Sequence, residues 1–68
     1  MNQDQMQILE SLIDQTSLSD VLEAIETIAA EKADHIQTNW QDEELAETWT
    51  RASKGIGRVC TIAAKEGL

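Results

Sequence analysis

Apolar residues recur at helical spacing in three segments of this 68-residue chain, and this pattern constrains the fold more than any other feature. No proline occurs, no run of Val, Ile and Thr alternates with polar residues, and no Asn-Gly pair marks a turn between strands. The usual signals of a β-sheet are therefore missing. The chain is predicted to be all-α.

The first two helices are predicted over residues of about 4–15 and 18–38. Met6, Leu9 and Ile13 give the first helix an apolar face, which Ile8 and Leu12 widen. Ser17 is suited to cap the second helix. The apolar face of the second helix is formed by Leu18, Val21, Leu22, Ile25, Ile28, Ala29, Ala33 and Ile36.

The third helix is predicted over residues of about 41–65. Its apolar residues alternate steps of four and three, which is typical of a helix packed along another helix. We predict that this seam consists of Leu45, Trp49, Ala52, Ile56, Val59 and Ala63. Two glycines, Gly55 and Gly57, flank Ile56 in this helix, and each costs about 1 kcal/mol relative to alanine. Either another helix packs closely against them, or the third helix kinks or breaks at Gly55.

Residues 37–44 contain one apolar side chain, Trp40, and the heptad phase breaks there. Asn39 can cap a new helix, so we predict a tight reversal between two long antiparallel helices. A single unbroken rod is the competing interpretation, since no glycine or proline intervenes. The predicted fold is a helical hairpin with a short N-terminal helix, forming one small domain over residues 1–68.

The segment from Thr50 to Arg58 resembles the glycine-rich cofactor-binding turn of short-chain dehydrogenases, which joins a strand to a helix. Here Arg51 stands where that family has its first glycine, and residues 44–49 predict a helix instead of a strand. The helical rhythm also continues through Ile56. The segment is therefore predicted to be helical, and no cofactor is expected.

The length of the chain predicts self-association. A domain of this size buries too little surface to be comfortably stable unless disulfides, a metal or partner subunits supplement its core. Cys60 is the single cysteine, which excludes an internal disulfide and favours a reducing, cytoplasmic location. We find no signal-peptide pattern and no apolar run long enough for a membrane span.

Charge is distributed unevenly along the chain. Residues 1–50 carry twelve acidic side chains and one basic one, Lys32, whereas residues 51–68 carry four basic side chains and one acidic one. The net charge of −8 disfavours direct binding to nucleic acids or anionic membranes. A basic protein partner, or mimicry of nucleic acid in front of such a protein, fits this charge better.

Two surfaces are candidates for binding. The first is the back of the second helix, opposite its apolar face, with Trp40 nearby as a plug over the hairpin end or an exposed anchor. We call its acidic residues the acidic back: Asp20, Glu23, Glu31 and Asp34. The second surface is a line of bases on the third helix, which we call the basic stripe: Arg51, Lys54, Arg58 and Lys65.

The basic stripe has three interpretations. It continues a line that starts with Glu44 and Glu47, so it can simply complement the helix dipole. Two such lines can instead meet antiparallel in a dimer, each acidic end facing a basic end. Alternatively, the bases bind an anion such as a nucleotide, a phosphate or an acidic peptide.

The remaining polar residues give no catalytic or metal-binding constellation. His35 is the single histidine, and a metal would need further ligands from elsewhere, so we predict a surface histidine. No serine or threonine has a base positioned to activate it. Lys32 lies on the apolar face of the second helix, where its stem can pack while its ammonium reaches water. It can alternatively meet a carboxylate or ligand anion across an interface.

The sequence therefore favours a small acidic interaction protein without enzymatic activity: an adaptor, inhibitor or regulatory subunit that acts as a homo-oligomer. One alternative is an oligomer that holds an anionic small molecule, such as a nucleotide, with Arg51, Lys54 and Arg58. The other is a nucleic acid mimic that inhibits a DNA- or RNA-binding protein.

Overall fold

The computed structural model describes residues 1–68 and contains three helices and no strands. They are α1 (Gln3–Gln15), α2 (Leu18–Asn39) and α3 (Glu43–Lys65). The two long helices α2 and α3 pack against each other as an antiparallel hairpin, and α1 contacts only α2. The predicted all-α hairpin with a short N-terminal helix is confirmed, and the unbroken rod is excluded.

Short polar side chains begin all three helices by accepting hydrogen bonds from free backbone N–H groups. Asn2 and Gln5 form a reciprocal capping box at α1, with distances of 2.8 and 3.0 Å. Ser17 Oγ accepts from the backbone N–H of Asp20 at 3.0 Å. Asp42, rather than the predicted Asn39, caps α3 by accepting from the N–H of Leu45 at 3.0 Å. Consequently α3 begins at residue 43, two residues later than predicted.

The reversal between the long helices is made without glycine or proline. Gln41 adopts a φ of 54°, the left-handed conformation that turns the chain sharply after α2. Asn39 remains helical, and its side-chain amide donates to the carbonyl oxygen of His35 at 3.0 Å. A glutamine in this conformation is uncommon. For this reason the sequence alone did not exclude a single unbroken helical rod.

The end of α3 is tied to the beginning of α2. Gly67 has a φ of 75°, and the N–H of Leu68 donates to the carbonyl oxygen of Ala63 at 2.8 Å, as in a glycine-terminated helix. The carbonyl oxygen of Leu68 in turn accepts from the N–H of Ser19 at 3.1 Å. One of the free N–H groups at the start of α2 is thereby satisfied.

Small side chains form the contact between α2 and α3, which we call the seam. The five buried residues of the molecule are Ala29, Ala33, Ala46, Ser53 and Ala63. Two further hydrogen bonds cross the seam: Ser53 Oγ donates to the carbonyl oxygen of Glu26 at 3.0 Å, and Cys60 Sγ donates to that of Ser19 at 3.2 Å. The short side chains allow the two backbones to approach closely.

The predicted seam on α3 is therefore partly wrong. Trp49 and Ile56 are half-buried and Ala63 is buried, but Leu45, Ala52 and Val59 are exposed. The observed contact is rotated by roughly a sixth of a turn around α3, toward Ala46, Ser53 and Cys60. These three residues are spaced seven apart and form a second heptad, made of small residues. The heptad of larger apolar residues obscured it in the sequence.

The glycines of α3 do not break the helix, which is continuous from Glu43 to Lys65. A Cβ at Gly57 would come within 3.1 Å of the carboxyl group of Glu26, so the close approach expected from the sequence is found at this position. At Gly55 a Cβ would meet only the tip of Arg58, at 3.8 Å. The continuous helix also excludes the strand-to-helix turn of a dinucleotide site.

The molecule is one layer of helices thick. Its Cα atoms extend over 38 × 29 × 13 Å, and α1 has no buried residue. Stable domains are normally built from at least two packed layers, because each layer must bury its apolar side against another. This chain has no second layer of its own.

Candidate interaction surfaces

One side of the hairpin is apolar and uncovered, and we call it the apolar face. It is formed by Val21, Ile25, Ile28 and Lys32 of α2 with Leu45, Ala52, Ile56 and Val59 of α3. On each helix these residues are offset by roughly a quarter turn from the buried ones. Because the helices are antiparallel, both offsets point to the same side. Ile28 and Val59 are each about half exposed, at 52% and 51%.

A groove of about 590 Å³ lies at the end of the apolar face nearest the reversal. Its lining is Ile28, Glu31, Lys32, His35, Ile36, Trp40, Leu45 and Trp49. The Lys32 ammonium lies 5.9 Å from the centre of the Trp49 ring, within the range of a cation–π contact. Lys32 therefore packs against an aromatic ring while remaining exposed, as the first of its two interpretations requires.

Trp40 follows the last residue of α2 and is 69% exposed. It therefore does not plug the end of the hairpin. Trp40 lines the groove of the apolar face together with Glu31. The sequence grouped it with the acidic back, but of those four acids only Glu31 also borders the groove.

Apart from Glu31, the acidic back lies away from the groove of the apolar face. Glu23 lines a shallow depression on the polar side of the hairpin, and Asp34 lines a second one beside Ser53. Asp20, Glu23, Glu31 and Asp34 are all exposed. Glu26, which the sequence did not single out, adds a half-buried carboxylate to both depressions. The polar side therefore presents more negative charge than the acidic back alone.

The basic stripe borders the same polar side. Arg51, Lys54, Arg58 and Lys65 are all exposed. Lys54 and Arg58 share one depression with Glu23 and Glu26, so carboxylates of the same molecule already lie near these bases. Arg51 Nη2 donates to Thr48 Oγ1 at 3.4 Å. Lys54 and Arg58 therefore face a mixed-charge neighbourhood, which is a poor environment for a free anion.

Cys60 is the one titratable group whose pKa is clearly shifted by its environment. Partial burial at the seam raises the pKa of the thiol because it disfavours the charged thiolate, and the nearby carboxylates of Glu23, Glu26 and Asp20 raise it further. A raised pKa makes a cysteine a poor nucleophile near neutral pH. The thiol serves as a small seam residue and hydrogen-bond donor.

The structure brings no other reactive groups together. No three His, Cys, Asp or Glu side chains are placed to hold a metal ion. His35 is exposed, and its Nδ1 lies 3.0 Å from the side-chain nitrogen of Asn39. No helix combines the length and the apolarity needed to cross a membrane.

Comparison of the chain with protein-family models, with curated proteins and with solved structures found no match. The two sides of the hairpin are therefore the features that bear on its function.

Proposed function

We propose that this protein is a small non-enzymatic interaction module, an adaptor, inhibitor or regulatory subunit, that acts as a homo-oligomer and binds a basic protein partner. The observation that carries the proposal is the two-sidedness of a single helical layer. The apolar face needs to be covered, whereas the polar side can stay in water. One side is thus suited to assembly and the other to a partner.

The partner surface in this proposal is the acidic back, formed by Asp20, Glu23, Glu31 and Asp34. These carboxylates are exposed along one side of α2. Fixed charges of one sign attract a basic partner over a distance of about one Debye length, roughly 8 Å at physiological salt. Glu26 lies among them and strengthens the same field.

The experiment compares two variants of equal net charge. In the first, Asp20, Glu23, Glu31 and Asp34 are replaced by their amides. In the matched control the same change is made at Asp4, Glu10, Asp14 and Glu66, which lie outside the acidic back. Immobilised protein is used to capture basic proteins from the host. We expect the first variant to lose salt-sensitive capture at least about tenfold and the control to keep it.

Equal losses in the two variants would mean that net charge alone is responsible, and the acidic back would then be rejected as a specific surface. Competition by DNA distinguishes the nucleic acid mimic from a general adaptor. If duplex DNA displaces a captured DNA-binding protein, the result favours the mimic. A rise in melting temperature with nucleotides or phosphate, lost in Lys54→Gln, would instead favour the anion-binding oligomer.

A further inference from the structure

We infer that a second copy of this chain covers the apolar face, and that the two hairpins pack face to face with their reversals at opposite ends. The inference rests on the proposed function, which requires self-association, and adds to it the surface and the orientation. The product is a two-layer bundle of four long helices, in which α2 lies along α2 of the other copy and α3 along its α3.

The area of the apolar face suits a dimer. A helix of the length of α2 extends over about 33 Å, and two helices side by side are about 20 Å wide. The face thus offers about 650 Å², close to the roughly 800 Å² per partner of a standard protein interface. Four of its large side chains, Ile25, Ile28, Leu45 and Val59, are exposed, and the five buried residues of the molecule are four alanines and one serine. A second copy supplies the missing layer.

Lys32 is compatible with the opposed orientation. It lies on the apolar face, about four residues beyond the middle of α2. With the reversals at opposite ends, the two Lys32 ammonium groups are about 10 Å apart along the helix axis. Each ammonium then stays over its own Trp49 ring.

The distribution of charge along the hairpin favours the opposed orientation. The half of the hairpin near the reversal, residues 29–52, has six acidic and two basic side chains. The opposite half, residues 18–28 and 53–68, has four acidic and three basic ones. Opposed hairpins place the strongly acidic half of one copy beside the nearly neutral half of the other. Aligned hairpins would place two strongly acidic halves together.

The test measures mass and one distance. Sedimentation equilibrium gives the mass of the unmodified protein. For the distance, Gln41→Cys at the reversal is spin-labelled in a Cys60→Ser background, and the separation of the two labels is measured by pulsed electron paramagnetic resonance. We expect a dimer with a label separation of about 35 Å, close to the length of a long helix. Circular dichroism checks that the variant keeps the helicity of the unmodified protein.

Each alternative result has a distinct meaning. A dimer with labels closer than about 20 Å would overturn the opposed orientation and leave the proposed function standing. A folded monomer at micromolar concentration would overturn both the inference and the homo-oligomer. A monomer with little helicity on its own would contradict the inference. The apolar face would then be assigned to a different protein, while partner binding through the acidic back would remain as proposed.

Discussion

The seam between α2 and α3 and the apolar face beside it are built from opposite kinds of residue. The seam buries Ala29, Ala33, Ala46, Ser53 and Ala63, none larger than a serine, whereas the apolar face exposes isoleucine, leucine and valine. A protein that folded around its own core would have the reverse arrangement. Small residues bring the two helices close and leave the larger side chains available for a second layer.

The energetics of the two regions differ accordingly. Burial of apolar surface contributes about 25 cal/mol per Å², so a seam of alanines contributes little for its length. Ser53 and Cys60 add hydrogen bonds to α2, each worth about 1 kcal/mol or less. The seam therefore determines how the hairpin is arranged, while most of the potential stabilisation remains in the apolar face.

The largest expected effect comes from placing a charge in the apolar face. Ile28→Glu should weaken self-association at least about 100-fold, because a buried carboxylate without a partner costs several kcal/mol and each 1.4 kcal/mol is tenfold in affinity. Sedimentation equilibrium measures the effect. Thr38→Glu is the control, since it adds the same charge at an exposed position outside the apolar face. Equal weakening by both variants would contradict the assignment of the face.

A leucine at the seam should be the next most disruptive change. Ala46 is only 4% exposed, so Ala46→Leu overpacks the contact with α2 and should destabilise the protein by about 2 kcal/mol in urea unfolding. Ala52→Leu is the matched control on the apolar face, where Ala52 is exposed. We expect the control to keep or raise stability. If Ala52→Leu destabilised the protein more than Ala46→Leu, the contact with α2 would instead be made by the apolar heptad predicted from the sequence.

The two glycines of α3 provide a smaller and finer comparison. Gly55→Ala should stabilise the protein by about 1 kcal/mol, because alanine favours a helix and its Cβ meets nothing closer than 3.8 Å. Gly57→Ala should gain less, since its Cβ must displace the Glu26 carboxyl group. Thermal unfolding at a fixed protein concentration measures both. If Gly57→Ala stabilised as much as Gly55→Ala, the close approach at the seam would be of no energetic importance.

The smallest expected effect is a change in thiol reactivity. Since the pKa of Cys60 lies above its usual value, less thiolate is present at pH 8 than in an unfolded chain, and alkylation by iodoacetamide should be several-fold slower. The rate should rise with pH and reach half its maximum at a higher pH than for the unfolded chain. Glu23→Gln should shift this midpoint downward, whereas Glu10→Gln should leave it unchanged. An unshifted midpoint in the intact protein would contradict the environment assigned to Cys60.

Much of the local structure could be read from the sequence, because local interactions determine it. Ser17 caps α2 where predicted, and the apolar spacing located all three helices to within about two residues. Asn39 shows where prediction from the local sequence fails. Both Asn39 and Asp42 are good capping residues, and only the left-handed conformation of Gln41 decides that the second is used.

The candidate surfaces were predicted less well. The charged residues of the acidic back and the basic stripe are exposed, and their grouping on one face of each helix follows from spacing alone. The positions of the two surfaces relative to each other were not predicted, because these depend on how α2 and α3 are rotated about their axes. That rotation moved Trp40 to the apolar face and placed Lys54 and Arg58 beside Glu23 and Glu26.

The sequence by itself determined that this chain forms three amphipathic helices, two of them long, with acidic residues concentrated on the second. Periodicity, capping residues and charge are local properties, and they suffice for that. Only the tertiary structure decided which side of each helix is buried. Close approach of two backbones selects small side chains, and this geometric preference left the larger residues on one open face.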